Sequence, residues 1–426
     1  MKILVVGNGA REHAMAKTLA KSKHCPELFF YMEIANPGLV RLASDYAIGK
    51  LTDLQQLSLY ALRIAPDLVI VGPENPLAAG AVDALSARGF NCIGPTLEQA
   101  RIESDKAFMR EFMKRYIRRG YPDWTIVTTL KQLHERLVQN HNVAIKPIGL
   151  TGGKGVKVYG RQLNSLEEAL NYGAELLRKD GKVLIEEQLI GEEFSFMVFT
   201  DGKKVVPMPL VQDYKYAFEN DTGPMTGGMG SFSCADHMLP FISRKDYETA
   251  YDIVADVILH LGRVTGLPYK GVLYGQFMQT EKGPQIIEFN ARFGDPEAIN
   301  VLSLLTTDFV DICLSIVDGT LIDSITFEKK ATVCKYVVPV GYPTAPLIDS
   351  PFKLPVFQFS GLDIDLFFAN VYEKGGTLYT TASRAIAFLA KAETVIAAKE
   401  KLDTFLSSWC PENLFYRRDI PKLFNE

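Results

Sequence analysis

Long apolar stretches are missing from this chain. No run in its 426 residues approaches the ~20 residues of a membrane span, and the candidates at 68–72 and 333–340 are strand-sized. The start, Met1-Lys2-Ile3-Leu4-Val5-Val6-Gly7, is too short for a signal peptide and runs straight into a glycine turn. Paired cysteines are missing too. Cys25, Cys92, Cys234, Cys313, Cys334 and Cys410 are scattered without a C-x-x-C, which argues against a zinc site or a disulfide framework and for reduced thiols in a cytoplasmic protein. Charge of one sign is scarce: 46 basic residues face 50 acidic ones, a net charge of −4. That balance argues against a polyanion binder working by bulk charge, but not against a local basic site for a phosphorylated small molecule. The six histidines show no metal spacing and no Ser-His-Asp or Cys-His set; His13 stands out only for lying beside the first glycine turn.

What is present is the usual soluble mix, 47% apolar and 23% charged, at a length that predicts roughly three domains. The first hundred residues alternate apolar strands (2–6, 28–31, 68–71, 91–94) with helical patterns (10–20, and 75–88 with Pro76 in its first turn). That alternation predicts a doubly wound parallel sheet. From about residue 96 the pattern changes to a charged helix over 97–116, short strands around a glycine-rich stretch, and a helix over 165–178. Two hairpins follow, one turning at Asp201-Gly202 and one at Glu281-Lys282-Gly283, with a long helix over 245–265 between them and another over 298–317. A third region begins near 328, with strands at 332–338, 366–372 and 385–390 and a helix over 392–406. The fold class is α/β, divided as 1–100, 101–327 and 328–426.

Four segments carry chemistry. Gly7-x-Gly9-x-x-Glu12 lies between a strand and a helix, where backbone N–H groups and the helix dipole favour a phosphate. The third glycine of a dinucleotide fingerprint is replaced by Glu12, so the turn reads either as a tight connection or as a phosphate site with Arg11 beside it. The stretch Lys146-Pro147-Ile148-Gly149-Leu150-Thr151-Gly152-Gly153-Lys154-Gly155 can wrap a triphosphate with backbone donors and one cation. It is not a P-loop, because Gly155 follows the lysine, and the alternative is a surface hairpin. Glu288 and Asn290 share one face of a strand, and Gln276 lies on its partner. Two or three oxygen ligands there suit Mg²⁺, and Arg292 follows two residues on. Residues 221–230 read as a glycine-dense loop that lets a ligand approach the backbone.

Taken in order, these segments resemble the phosphoribosylamine–glycine ligase (glycinamide ribonucleotide synthetase) family of ATP-grasp enzymes. The matching stretches are Gly7-Asn8-Gly9-Ala10-Arg11-Glu12-His13-Ala14, Val71-Gly72-Pro73-Glu74-Asn75-Pro76-Leu77, Gly94-Pro95-Thr96, Ser104-Asp105-Lys106-Ala107-Phe108, the 146–156 loop, Glu186-Glu187-Gln188-Leu189-Ile190-Gly191-Glu192-Glu193, 221–230 and 287–297. Ile148, Tyr214 and Thr380-Thr381-Ala382-Ser383-Arg384 depart from the commonest bacterial pattern and are similar to archaeal members. The resemblance implies an N-terminal Rossmann-like domain, a central ATP-grasp domain of two α+β lobes with a mobile lobe at about 122–187, and a small C-terminal α+β domain. It implies ATP-dependent ligation of glycine to 5-phosphoribosylamine through glycyl phosphate, in purine biosynthesis. Lys106, Lys146, Gly149, Thr151, Gly152, Gly153, Lys154, Gly155, Glu186, Glu187 and Glu193 are then the ATP contacts. Gln276, Glu288 and Asn290 are the Mg²⁺ or Mn²⁺ ligands, and Arg292 and Lys146 act on the transferred phosphoryl group. Gly9, Arg11, Glu74, Asp213, Thr226, Gly227, Gly228, Arg292 and Asp295 are the substrate contacts, with the Gly7–Gly9 turn and Arg11 assigned to the substrate phosphate. The expected partners are small molecules only, not nucleic acid or membrane, for a monomer or weak homodimer. The rival readings are another ATP-grasp carboxylate–amine ligase of purine metabolism, a nicotinamide-dependent oxidoreductase, and a catalytically dead nucleotide sensor.

Overall fold

A computed structural model describes residues 1–152, 155–354 and 363–422. The first region is a five-stranded parallel sheet in the order Asp45–Ile48, Glu27–Met32, Lys2–Val6, Leu68–Val71, Cys92–Ile93. The strand order reverses between Lys2–Val6 and Leu68–Val71, and a crevice opens beyond the carboxyl ends of two such strands. Gly7–Gly9 and Gly72–Glu74 follow those ends directly. Both faces of the sheet are buried, against two separate apolar cores.

Downstream, a small four-stranded antiparallel sheet runs Trp124–Val127, Val183–Glu187, Val143–Lys146, Lys157–Val158. Helices Leu130–Gln139 and Leu166–Asp180 cover it. This small lobe has its own core, which includes Leu133, Ile145, Ala169 and Ile185. The next sheet runs Val205–Pro207, Glu192–Thr200, Gly271–Thr280, Gly283–Asn290. The 22-residue helix Arg244–Thr265 packs on it, its start capped by the Ser243 hydroxyl.

The last large sheet takes strands from both sides of residue 327. Its order is Gln212–Phe218, Thr222–Ser233, Ala331–Pro339, Ile386–Ala392, Ile364–Phe368, and Leu414–Phe415 joins Ala331–Pro339. A three-stranded sheet, Pro351–Phe352, Thr377–Thr380, Val371–Lys374, lies beside it.

Several expected elements are divided. The helix expected over 97–116 breaks at Asp105, whose carboxylate accepts from the Phe108 N–H and starts Lys106–Phe112 afresh. The one expected over 75–88 breaks at Gly80, at φ +90°. The one over 298–317 breaks where Asp308 caps Phe309–Asp318. The strand at 366–372 is two, Ile364–Phe368 and Val371–Lys374. Most consequential, 222–230 is not a loop but most of the strand Thr222–Ser233, which pairs with Gln212–Phe218 and, from Gly230 on, also with Ala331–Pro339. Among the described residues, no helix is long and apolar enough to cross a membrane.

Candidate active site

A cleft of about 460 Å³ lies where the first region, the small lobe, the central sheet and the third region meet. It is lined by Gly9, Arg11, Glu74, Lys106, Lys146, Thr151, Gly152, Glu186, Glu187, Glu193, Asp213, Thr226, Gly227, Gln276, Glu288, Asn290, Arg292 and Asp295, all singled out from the sequence. Gly149, Gly155 and Gly228 stand just behind the lining: Gly149 O accepts from Lys106 Nζ (3.0 Å) and Gly155 O from the Tyr172 hydroxyl (2.6 Å). Gly153 and Lys154 lie outside the described residues.

The small-lobe side is organised around one buried carboxylate. Glu186, at the end of Val183–Glu187, is paired with Lys146 Nζ at 2.6 Å and takes a bidentate bond from Arg110, at 2.5 and 2.9 Å. Arg110 is fully buried and also donates to the carbonyls of Ile286 and Ile287 (3.1 and 2.9 Å), so it ties the lobe to the strand carrying Glu288. Burial works to raise the Glu186 pKa, but Arg110 and Lys146 outweigh it and hold it at about 2. With both oxygens engaged, Glu186 orients Lys146 rather than offering a free acceptor. Lys106 starts its helix facing the same space; burial, aided by Lys146, lowers its pKa. Ala144, Val158, Met278 and Ile287 make an apolar slot beside the backbone of Glu187, Gln188 and Leu189, the surroundings that a flat purine ring needs.

Glu288 and Asn290 lie on alternate positions of Gly283–Asn290, opposite Gln276 and Tyr274. Lys106, Lys215, Lys146 and Arg292 together keep Glu288 ionised against its burial. None of them pairs directly with its carboxylate among the described residues, so an ionised oxygen donor faces the cleft next to a neutral one. Gln276 turns its amide nitrogen to Glu193 (3.0 Å) and Asp213 (3.2 Å), and its oxygen accepts from Ser195 Oγ at 3.4 Å. Strand alternation puts Asp213 and Lys215 on the cleft face of Gln212–Phe218, while Tyr214 points away and accepts from the Lys422 N–H. Burial pushes the Asp213 carboxyl well above the usual carboxylate range. Lys215 opposes that shift, and Glu297 and Glu193 add to it.

The opposite side is an interlocked set of ion pairs. Arg292 lies between Glu74 (3.2 Å) and Glu103 (2.9 Å). Burial works against the ionised Glu74 carboxyl, yet Arg292 and Arg11 hold it at about 2. Arg11 has Nε on Glu12 (2.6 Å) and Nη1 on the Phe293 carbonyl (3.1 Å). The other Glu12 oxygen accepts from the Gly9 N–H at 2.6 Å. A Cβ on Gly7 or Gly72 would fall 2.7 or 2.2 Å from Glu12 side-chain atoms, so the glycines exist to admit that carboxylate. It occupies the helix N-terminus where a dinucleotide would put its pyrophosphate, which removes the physical basis for the oxidoreductase reading.

Some residues in the lining or directly behind it carried no sequence signal that fixed their role. Glu103 and Arg110 sit on a helix pattern that reads as charged surface; Tyr274 and Glu297 meet through a 2.7 Å hydrogen bond across 23 residues. Arg384, from the third region, donates from Nη1 to the carbonyls of Gly227, Gly228 (both 2.8 Å) and Asp295 (3.1 Å), with Nη2 3.2 Å from Asp295 Oδ1. The Tyr336 hydroxyl donates to the same Asp295 oxygen. His13 is a core residue: Nδ1 accepts from the Phe368 N–H (2.9 Å), and its ring packs on Phe367 and Phe368.

Known proteins resemble this chain over nearly its whole length. Family models described as phosphoribosylglycinamide synthetase match as the N domain over residues 1–103, the ATP-grasp (A) domain over 104–298 and the C domain over 332–422. The chain is 49% identical over 421 residues to a phosphoribosylamine–glycine ligase of Methanosarcina barkeri, covering 99% of this chain and 96% of the relative. It is 45% identical over 421 residues to one of Pyrococcus furiosus, covering 99% and 94%. The crystal structure of a phosphoribosylamine–glycine ligase from Thermotoga maritima superposes with a TM-score of 0.82 at 28% identity, over 98% of this chain and all of that one. A biotin carboxylase of Campylobacter jejuni superposes at 0.73 with 14% identity, over 97% and 91%, a likeness of fold alone.

Proposed function

The chain belongs to the phosphoribosylglycinamide synthetase family, and from that premise we propose how its cleft joins glycine to 5-phosphoribosylamine. It is an ATP-dependent carbon–nitrogen ligase of purine biosynthesis. The observation that carries the assignment of roles is the facing of two charge sets across one cleft: Lys106 and Lys146 on the small-lobe side, and Arg292 between two carboxylates on the other.

ATP lies with its ring in the apolar slot and its phosphates toward Lys106 and Lys146. The glycine carboxylate attacks the γ-phosphorus, the bond to the bridging oxygen breaks, and ADP leaves. The amine of phosphoribosylamine then attacks the acyl carbon of the glycyl phosphate. The carbon–oxygen bond to phosphate breaks, phosphate departs, and the amine loses a proton as the amide forms. Lys146, fixed by Glu186, and Arg292, fixed by Glu74 and Glu103, meet the negative charge spread over the transferred group without having to reorganise. Glu288 and Asn290 fit Mg²⁺ or Mn²⁺, hard cations that take oxygen ligands, and an ion held there supplies charge neutralisation on the phosphate oxygens. Gln276, its oxygen already accepting from Ser195, fits as a third ligand only after its amide turns. Glu187 and Glu193 stand at the nucleotide end; Asp213, Thr226, Gly227 and Asp295 stand at the acceptor end. Thr226 acts through its hydroxyl, which bridges the Lys215 carbonyl and the Gly228 N–H. The setting is the cytoplasm, with small molecules as the only partners, for a monomer or weak homodimer.

The test is ADP release with ATP, Mg²⁺, glycine and freshly generated phosphoribosylamine, each omitted in turn. ADP release that ignores the omission of glycine or of phosphoribosylamine defeats this reading.

A further inference from the structure

The substrate of the proposed ligation carries a phosphate, and the sequence assigns it to the Gly7–Gly9 turn and Arg11. In the structure that place is taken. The Gly9 N–H is bonded to Glu12, the Arg11 guanidinium is bonded to Glu12 and the Phe293 carbonyl, and both side chains are buried. A dianion brought to the helix N-terminus would meet the Glu12 carboxylate first.

A few residues away, at the same end of the cleft, the donors are not committed in this way. Asn8 and Asn370 both line the cleft, and they meet through a long contact, Nδ2 to Oδ1 at 3.4 Å. Among the described residues the Asn370 amide nitrogen reaches only Ser383 Oγ, at 3.5 Å. The backbone brings the fourth group alongside, since the Asn370 N–H donates to the Arg384 carbonyl at 3.0 Å. Arg384 is stacked 4.2 Å from the Tyr336 ring and keeps 14% of its side chain exposed toward the cleft. Its Nη1 and Nη2 are used, but Nε has no partner among the described residues. The Asn8 oxygen is fixed by the Glu33 N–H (3.1 Å), but two amide nitrogens with long, weak bonds, a hydroxyl and one fixed guanidinium form a set of donors, and the chemical class they suit is a phosphate monoester. Glu33 lines the cleft directly after strand Glu27–Met32, where an acidic side chain in a parallel sheet of this kind reaches ribose hydroxyls.

We propose that the 5-phosphate of the ribosylamine sits between the first and third regions, on Asn8, Asn370 and Arg384, and not on the helix N-terminus at Gly9. The proposal rests on the ligase reading for the identity of the substrate. It gives the third region a direct share in substrate binding.

Ribose 5-phosphate is the probe, because it carries the same phosphate and sugar but lacks the reactive amine. Its binding to the full chain is measured by titration calorimetry, in parallel with ADP. Asn370→Asp keeps the side-chain shape and sets a negative charge against the phosphate. It is expected to weaken ribose 5-phosphate by about tenfold or more and to leave ADP unchanged. Arg384→Ala is expected to do the same. Asn370→Asp stands without it if the loss of the Gly227, Gly228 and Asp295 contacts unfolds the Arg384 variant. Wild-type affinity in Asn370→Asp, or a loss confined to Arg11→Ala, overturns the placement, as does absence of ribose 5-phosphate binding by the wild type. The ligase reading is judged separately, by substrate-dependent ADP release from the wild-type chain.

Discussion

On the small-lobe side of the cleft, a fully buried arginine joins lobe to body beside a few single hydrogen bonds; on the other side, two arginines meet on one carbonyl and a third braces its neighbour. The lobe has a core of its own, and among the described residues Arg110 reaches from the body into it, holding Glu186 while anchored on the Ile286 and Ile287 carbonyls. Arg11 and Arg292 instead meet on the Phe293 carbonyl, each held by carboxylates of its own, and Arg384 braces Asp295 two residues further on, above a core common to all three regions. The difference separates two tasks. On the roles proposed above, the wall assigned to the nucleotide is joined at few points, while the wall assigned to the two small substrates is cross-braced.

The comparison breaks most sharply at Glu288, which belongs to neither network. Glu288→Ala is expected to lower Mg²⁺-dependent turnover by about 10³-fold, with the melting temperature unchanged; steady-state ADP release checks it, and Asn290→Ala should cost less. Glu186→Gln removes the counter-charge of a fully buried arginine and should cost about 3–5 kcal/mol. Hydrogen exchange monitored along the chain should show the loss concentrated in the small lobe, where a side chain integrated into the common core would destabilise everything together.

A third test reads the seam between the first and third regions. Burial, with Lys17 and Arg41 nearby, lowers the His13 pKa from 6.5 to about 3. Here the folded state binds the proton less well than the unfolded chain. The contribution is therefore full above pH 6.5 and is lost as pH falls toward 3, at up to about 1.4 kcal/mol per pH unit. His13→Asn, which retains an acceptor for the Phe368 N–H but does not titrate, should flatten that slope in denaturant titrations at pH 5 and 7. The smallest effect is expected from Gln162→Ala, which deletes the 3.2 Å bond from the small lobe to the Tyr216 hydroxyl. About 0.5–1 kcal/mol is at stake, seen as a modest rise in the KM for ATP.

The parts legible in the sequence were those with a local rule behind them. Period-two spacing paired Glu288 with Asn290, the parallel sheet followed from apolar strands alternating with helices, and glycine density marked the 146–156 segment. What escaped depended on distant partners. Residues 222–233 are a strand although they hold four glycines, because distant strands pair with them, and Pro296 packs so close to Gly228 that a side chain there would clash. Glu12 was visible as a departure from the dinucleotide pattern, but that its carboxylate turns back onto Gly9 is a matter of three-dimensional packing against Gly72. Arg110 has charged neighbours in sequence, and only the approach of Val183–Glu187 makes it a buried residue.

The sheet that takes strands from both sides of residue 327 limits how this protein can be recombined. Asp213, Lys215, Thr226 and Gly227 ride on its first two strands, and the third region supplies the rest of it. A chimera joined near 327 would seat one parent's substrate hairpin on the other parent's sheet, with the Gly230–Lys335 and Ser231–Cys334 pairs as the seam. Exchange of the third region therefore alters the support of the residues proposed to hold substrate, whereas exchange of the small lobe, with its separate core, crosses no such seam.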